Sequence, residues 1–481
     1  MKTIVLPRLS LAVPLVLTLA ACAATPPEAP VKIALPASYA QAQSGWEPAQ
    51  AMAAAPRGAW WSVFDDPVLA GLETQVAQHN QSLAAQLAAY EQAQAAVAQA
   101  RAAYYPAVTA GASANRARTA GNGAVGNSLS ASLGASWEPD LWGKVRLQVQ
   151  AGQATAAASA ATLANTQLSL QSTLATSYLQ LRTVDAQIVL AQNTVAAYQR
   201  ALQITDNRYK AGVGTAADVA SARTQLLQAQ TSLTDLGVTR VQLQNAIAVL
   251  VGKPPAEFSL PASDTLPEVP AIPAGIPAQL LQRRPDLAAA QAQVQAANAQ
   301  IGVAQTAWFP NLTLSAQGGS QAARIAELFS APSLFWSIGP QLAATLFDGG
   351  LRRAQEQSSQ AAYRQTVANY RQSVLTALQQ VEDNLAAQRI LALEAQQQAE
   401  VVQAAEVSLR LAENQYKAGT APYLNVITAQ TTATSARNAQ LTLLNRRYAA
   451  SVSLIQALGG GWGAANAPAI GPLSAASAGA Q

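Results

Sequence analysis

The sequence predicts a mainly α chain with a small β part, in which long antiparallel coiled-coil helices are joined to two β-hairpins. Three observations carry this reading. Apolar residues repeat every seven positions over very long stretches, four short stretches alternate with period two, and the whole pattern occurs twice.

The duplication is read from two landmarks. Tyr209-Lys210-Ala211-Gly212-Val213-Gly214-Thr215 returns as Tyr416-Lys417-Ala418-Gly419-Thr420, 207 residues later. Ala103-Tyr104-Tyr105-Pro106-Ala107-Val108-Thr109 returns as Ala307-Trp308-Phe309-Pro310-Asn311-Leu312-Thr313, 204 residues later. That spacing is far longer than a solenoid repeat, so each half is a whole structural unit. Each half has a helical run ending at aromatic-Pro, two alternating stretches, and two long helical runs meeting at the Tyr-Lys-Ala-Gly turn.

The helical runs follow from the sevens. Leu174, Leu181, Ile188, Val195 and Leu202 keep one frame, as do Val367, Val374 and Val381, and Val402, Leu409 and Tyr416 stay in that second frame. Strict sevens imply left-handed supercoiling against neighbours. A run from Lys144 to about Asn207 would be about 95 Å long at ~1.5 Å per residue, too long for a compact domain. The return run closes on Leu441, Leu444, Tyr448, Val452, Ile455 and Leu458.

The alternating stretches have strand period. Leu129, Ala131, Leu133, Ala135 and Trp137 face one way and Ser130, Ser132, Gly134 and Ser136 the other. Trp336, Ile338, Pro340, Leu342, Ala344 and Leu346 alternate in the same way with Ser337, Gly339, Gln341 and Thr345. Stretches near 108–115 and 312–319 alternate more weakly. A membrane strand needs about 9–11 such residues. Alternation alone equally describes a soluble half-buried hairpin, but the apolar face here carries almost no charge. Four strands cannot close a barrel without lipid-exposed edges, so the chain must oligomerise. Composition does not choose between two, three or more copies.

The pattern divides the 481 residues into an export signal (1–21), a Pro- and Ala-rich tether (22–58), and a first repeat (59–251, strands about 107–118 and 128–139). A linker (252–285), a second repeat (286–461, strands about 311–320 and 334–347) and a flexible tail (462–481) complete it. Lys2, Arg8 and the apolar run Leu9 to Leu19 read as the signal. Leu19-Ala20-Ala21-Cys22 then looks like a lipobox, with Cys22, the only cysteine, taking a diacylglycerol. Ala23, where Asp would retain a lipoprotein in the inner membrane, permits delivery to the outer membrane.

Charged residues make up only 11%, against a usual share of about 25%. The net charge of +4 is spread along the chain with no basic run, so no nucleic-acid partner is expected. An enzyme lacks parts. His79 is the only histidine, no thiol remains after lipidation, and no metal site or cofactor other than the lipid is expected. Asp65-Asp66 before Pro67, and Asp286 after Pro285, read as helix starts. Glu382-Asp383 reads as a solvated helix face.

At this point the chain resembles the TolC-like outer membrane efflux family, most closely its lipidated NodT-type branch. The resemblance runs from about Trp60 to Gly461. It rests on Trp61-Ser62-Val63-Phe64-Asp65-Asp66-Pro67-Val68-Leu69, Arg284-Pro285-Asp286-Leu287 and Ala307-Trp308-Phe309-Pro310. Trp137-Glu138-Pro139-Asp140-Leu141-Trp142-Gly143 and Leu346-Phe347-Asp348-Gly349-Gly350 match the family's strand-to-helix handovers. The resemblance implies a homotrimer whose twelve strands close one barrel in the outer membrane, continued by a periplasmic α-helical barrel. It also implies a periplasmic adaptor and an inner-membrane pump, usually of the resistance-nodulation-division class. The chain would be the passive exit channel for drugs, toxic compounds or metal ions. The helix tips at Tyr209, Gly212, Gly214, Tyr416 and Gly419 would dock the adaptor, and the two glycines would also end helices in left-handed caps. Many relatives carry acids after the second tip. Here the stretch is Tyr423-Leu424-Asn425-Val426-Ile427-Thr428-Ala429-Gln430-Thr431, with Asn425 and Thr428 where acids are common and Thr431 where some relatives place Arg. The resemblance implies a neutral periplasmic constriction at Leu424, Asn425, Thr428 and Thr431. Two rival readings are the same architecture serving type I protein secretion, and a structural envelope lipoprotein with a heptad stalk.

Overall fold

The computed structural model describes residues 36, 38–40, 59–118, 125–272 and 283–460. The export signal, Cys22, nearly all of the tether and the tail from 462 lie outside the described residues. In chain order the elements are α1 (Pro67–His79), α2 (Gln81–Ala102), β1 (Ala107–Arg118), β2 (Val125–Trp137), α3 (Lys144–Lys210) and α4 (Ala216–Leu250). After the linker come α5 (Pro285–Thr306), β3 (Asn311–Ala322), β4 (Leu334–Ala343), α6 (Leu351–Lys417) and α7 (Tyr423–Ala457). Short 3-10 turns lie at Trp60–Phe64, Pro255–Glu257, Ile325–Glu327 and Ala331–Ser333. Among the described residues no helix is long and apolar enough to cross a membrane.

The duplication reaches element lengths. Helices α3 and α6 both have 67 residues, α4 and α7 both 35, α2 and α5 both 22, and β1 and β3 both 12. The stops repeat too. Gly212, Gly252, Gly419 and Gly459 all have φ between 73° and 92°. Each helix end closes with the paired bonds of a Schellman cap. At the first, Gly212 N donates to Tyr209 O and Val213 N to Arg208 O; at the third, Gly419 N donates to Tyr416 O and Thr420 N to Gln415 O.

Three strands depart from their expected bounds. β3 runs on to Ala322 rather than about 320, because Leu129 and Ser130 of β2 still pair with Ala322 and Gln321. β2 begins three residues earlier than 128 and ends at Trp137, because Pro139 cannot donate to a ladder. β4 ends at Ala343 rather than near 347, although the alternation runs on to Leu346. Its partner β3 begins at Asn311, paired with Ala343, so nothing remains to pair beyond that point.

The chain forms two compact units, and each draws on both repeats. The first takes residues 88–160 and 289–372 and holds the sheet. Its helical core is small-residue packing: Leu147 and Ile301 are buried with Ala156 and Ala299, and a Cβ at Gly302 would meet Leu147 Cδ1 at 2.9 Å.

The second unit takes residues 34–87, 161–288 and 373–481. Its core gathers Leu174, Tyr178 and Leu181 of α3, Ile247 of α4, Val381 and Leu385 of α6, and Tyr448, Val452 and Ile455 of α7. Leu69, Leu72 and Val76 of α1 close it, spaced so that one helix face is buried. Asp66 caps α1, its Oδ1 accepting Val68 N at 2.8 Å and Leu69 N at 3.0 Å. Asn80 caps α2 by accepting Leu83 N and donates its side-chain amide to Leu250 O at 2.8 Å. The linker is pinned by buried charge. Asp185 pairs with Arg182 and Arg240, which donate to Pro261 O and Leu260 O, while Ser263 N donates to Asp185. Tyr448 donates its hydroxyl to Pro267 O.

Asp286 is not a cap. It lies inside the first turn of α5, where Arg284 grips both carboxylate oxygens at 3.0 and 2.7 Å and donates onward to Gln380 and Ala457 O. Pro285 occupies the first helical position, so the residue after it already lies within the helix. Glu382 also does more than face solvent, accepting Ala40 N at 2.7 Å.

Candidate functional site

The four strands form one antiparallel sheet in the order β1-β2-β3-β4. The register sorts their side chains onto two faces. Pairs Val108↔Ala135, Ala110↔Leu133, Ala316↔Ile338 and Gly318↔Trp336 place the large apolar residues on one face. Pairs Thr109↔Gly134, Ser113↔Ser130, Gln317↔Ser337 and Thr313↔Gln341 line the other. Val108, Leu133, Trp336, Ile338 and Leu342 are all exposed, Trp336 by 80%. Within one chain β1 and β4 have open edges. An apolar face, a polar face and two unpaired edges describe a segment of a membrane barrel.

Where strands meet helices, aromatic side chains gather. Trp137 Nε1 donates to Tyr104 O at 3.0 Å, and Trp142 donates to Pro310 O at 2.6 Å while stacking on Phe309. Trp308 Nε1 donates to Glu356, and the Arg352 guanidinium lies 4.7 Å from its ring centre. Amphipathic rings of this kind mark a membrane–water interface. The handovers are fixed by repeated acids. Asp140 accepts Val145 N and Arg146 N, and Asp348 accepts Gly350 N and Arg352 N.

At the C-terminal ends of α3 and α6, Tyr209 and Tyr416 lie in the last helical turns, and Gly212, Gly214 and Gly419 fall on the two turns that follow. Tyr209 and Val213 are exposed, and Gly214 sits so close to Arg208 and Tyr209 that a Cβ would reach Tyr209 N at 3.1 Å. The tips differ in how the next helix starts. Thr215 and Asp218 form a capping box, while at the second tip Pro422 provides no side-chain cap. The two tips of one chain meet in a shared cluster. Tyr423, Val426 and Ile427 pack with Ala222, Leu202, Leu409 and Tyr416.

The tips carry a contact the sequence reading did not single out. The Arg208 guanidinium lies 4.9 Å from the Tyr416 ring centre, and Tyr416 packs on Tyr423 at 5.2 Å. Burial, with Tyr416 and Tyr198 adding, pushes the Tyr423 hydroxyl up to about 12. The signal available was the basic residue just before one tip turn and the tyrosine repeated at the other.

Leu424, Asn425, Thr428 and Thr431 are all exposed along one side of α7, while Tyr423, Val426, Ile427 and Gln430 are buried. Leu424 is 65% exposed. The Thr428 hydroxyl donates to Leu424 O at 3.0 Å and keeps only acceptor capacity for a neighbour. No acid stands among the four.

The family model for outer membrane efflux proteins matches residues 72–253 and 276–460. The chain belongs to this family. Among its relatives, the toluene efflux pump outer membrane protein TtgC of Pseudomonas putida is 32% identical over 446 residues, covering 91% of either chain. The pyoverdine export outer membrane protein OpmQ of Pseudomonas putida is 32% identical over 473 residues, covering 95% of this chain and 98% of its own. The structure of the outer-membrane channel OprN is similar with a TM-score of 0.80 at 28% identity, covering 91% of this chain and 100% of that one. As an outer membrane efflux protein, the chain is the outer-membrane component of an efflux pump, and its helices are the periplasmic portion.

Proposed function

We propose that three copies close their sheets into one twelve-stranded barrel, and that the assembled channel passes small molecules outward without a tight binding site. The observation that carries this is the four-stranded sheet with one apolar face, one polar face and open edges at β1 and β4. Edges left open in lipid cost on the order of several kcal/mol for each unpaired backbone group. Each β4 therefore pairs with the next copy's β1. The tips at Tyr209 to Thr215 and Tyr416 to Thr420 receive a periplasmic adaptor, itself fed by an inner-membrane pump of the resistance-nodulation-division class. Cys22 carries a covalent lipid that anchors the chain beside its own barrel.

The relatives named for toluene efflux and pyoverdine export favour small organic cargo over secreted protein. The decisive measurement is mass in mild detergent, followed by single-channel recording in a planar bilayer. A trimer that conducts is expected. A monodisperse monomer, or a trimer that never conducts, overturns the reading.

A further inference from the structure

The segments 107–137 and 311–343 contain four ionisable residues, and all stand at the end of the sheet away from the helices. Arg116 and Arg118 lie near the end of β1, and Arg324 and Glu327 follow β3, 3.7 Å apart as an ion pair. Three bases against one acid leave this rim positive.

The register places the β1 pair unusually. Arg116 is opposite Asn127 and Arg118 opposite Val125, in line with Val108, Ala110, Ala112 and Ala114. Both arginines are exposed and share the apolar face with Leu129, Leu133 and Trp336, not the Ser- and Gln-lined one. On that face the rows from Leu312↔Leu342 to Leu129↔Ala322 are apolar but for one buried serine, Ser320. Ten residue steps along β3 span about 33 Å, or about 25 Å of height at a tilt of about 40°, which equals the usual apolar band. Arg116 is the first row beyond it. An arginine there keeps its stem on apolar surface and its head in the headgroup layer. Two such arginines, their backbone positions about 7 Å apart on one face, offer a pair of forks suited to phosphate.

We propose that Arg116 and Arg118 form a clasp for a phosphate-bearing lipid of the outer leaflet. The partner is a lipid because Ala112, Ala114 and Leu129 adjoin the pair on the same face and receive acyl chains. The proposal rests on the barrel reading above.

The test places purified protein in phosphatidylcholine nanodiscs containing a minor share of lipid A, with both phosphates or with both removed. Native mass spectrometry reads the lipid retained. The trimer is expected to keep the phosphorylated form several-fold more, and Arg116→Gln with Arg118→Gln to abolish that preference. Arg116→Lys with Arg118→Lys should keep most of it, and millimolar inorganic phosphate should not displace the lipid. Equal retention of both lipids by the wild type, or an unchanged preference in the Gln pair, overturns the clasp. Displacement by phosphate shows a bare anion site instead. Should the Gln pair not assemble, the two lipids on the wild type and the Lys pair still decide. A monomer in the nanodisc refutes the barrel, a different outcome from a trimer without preference.

Discussion

Tyr178 donates its hydroxyl hydrogen to Asp66 Oδ2 at 2.7 Å, while Oδ1 of the same Asp66 caps α1. One carboxylate therefore starts a helix and fastens it to α3. Tyr178 is 1% exposed, and burial first, then Asp66, raises its hydroxyl to about 12. Asp66→Ala removes a cap worth about 1 kcal/mol and strands a buried hydroxyl at about 1–3 kcal/mol. Tyr178→Phe should cost about 1 kcal/mol and leave the cap intact. Thermal unfolding of the assembled protein should rank Asp66→Ala clearly below Tyr178→Phe. Equal midpoints of the two variants would show the cap to contribute nothing, and a wild-type midpoint for Tyr178→Phe would show the tyrosine bond to be idle.

Glu73 sits fully buried within the apolar stripe of α1, and neither of its oxygens has a hydrogen-bond partner. Burial raises its carboxyl from 4.5 to about 9. The folded state therefore holds a proton that the unfolded state releases near its ordinary value. Its contribution to stability is present in full below pH 4.5 and is lost as pH rises toward 9. Glu73→Ile should flatten that slope and raise the unfolding midpoint at pH 8. A midpoint with the same pH slope in wild type and variant would refute the assignment.

Four glycines end helices in the same conformation, yet their surroundings differ. A Cβ at Gly252 would meet His79 O at 2.3 Å and one at Gly459 would meet Arg283 O at 2.3 Å, whereas Gly212 and Gly419 have nothing within 4 Å. Ala at either tip should cost about 1–2 kcal/mol, from the left-handed backbone alone. Ala at 252 or 459 adds about 1–3 kcal/mol of overpacking against backbone that cannot rotate away. Yields of folded trimer should separate the two pairs.

The heptads, the alternation and the duplication were legible because each depends on a short-range period. Strand β1 falls at 107–118 as the alternation indicates, and the α3 run beginning at Lys144 extends to Lys210. Asp66 was readable as a cap because its signal, Asp before Pro, is local. Tyr178 is 112 residues away and gave no such sign. Arg208 on Tyr416 and the Asp185 cluster were hidden for the same reason, since pairing between distant helices leaves no spacing to find. Glu73 was hidden differently, as one acid in a stripe that otherwise reads as core.

The neutral side of α7 bears on gating. Rings of charge set ion binding in narrow pores. If Asn425 and Thr428 line the periplasmic constriction, as the family resemblance implies, trivalent cations should block wild-type single channels weakly from the periplasmic side. Asn425→Asp with Thr428→Asp should create strong block. Tight block of the wild type, or no gain in the double variant, would place the constriction elsewhere.

Cys22→Ser should abolish incorporation of labelled palmitate and weaken retention in outer-membrane fractions, because each buried methylene of the lipid contributes about 0.8 kcal/mol. Equal labelling of both proteins would contradict the lipobox reading.

The polar face of the sheet also determines what the exit can discriminate. Thr109, Ser113, Ser130, Gln317 and Ser337 offer hydrogen bonds to any solute, but no residue on that face carries a fixed charge. Anionic and cationic passengers meet the same wall, and neither is held by it. Between the strands the wall does not select by sign, so any sorting by charge falls at the outer rim, where Arg324 and Glu327 stand, or at the helix tips.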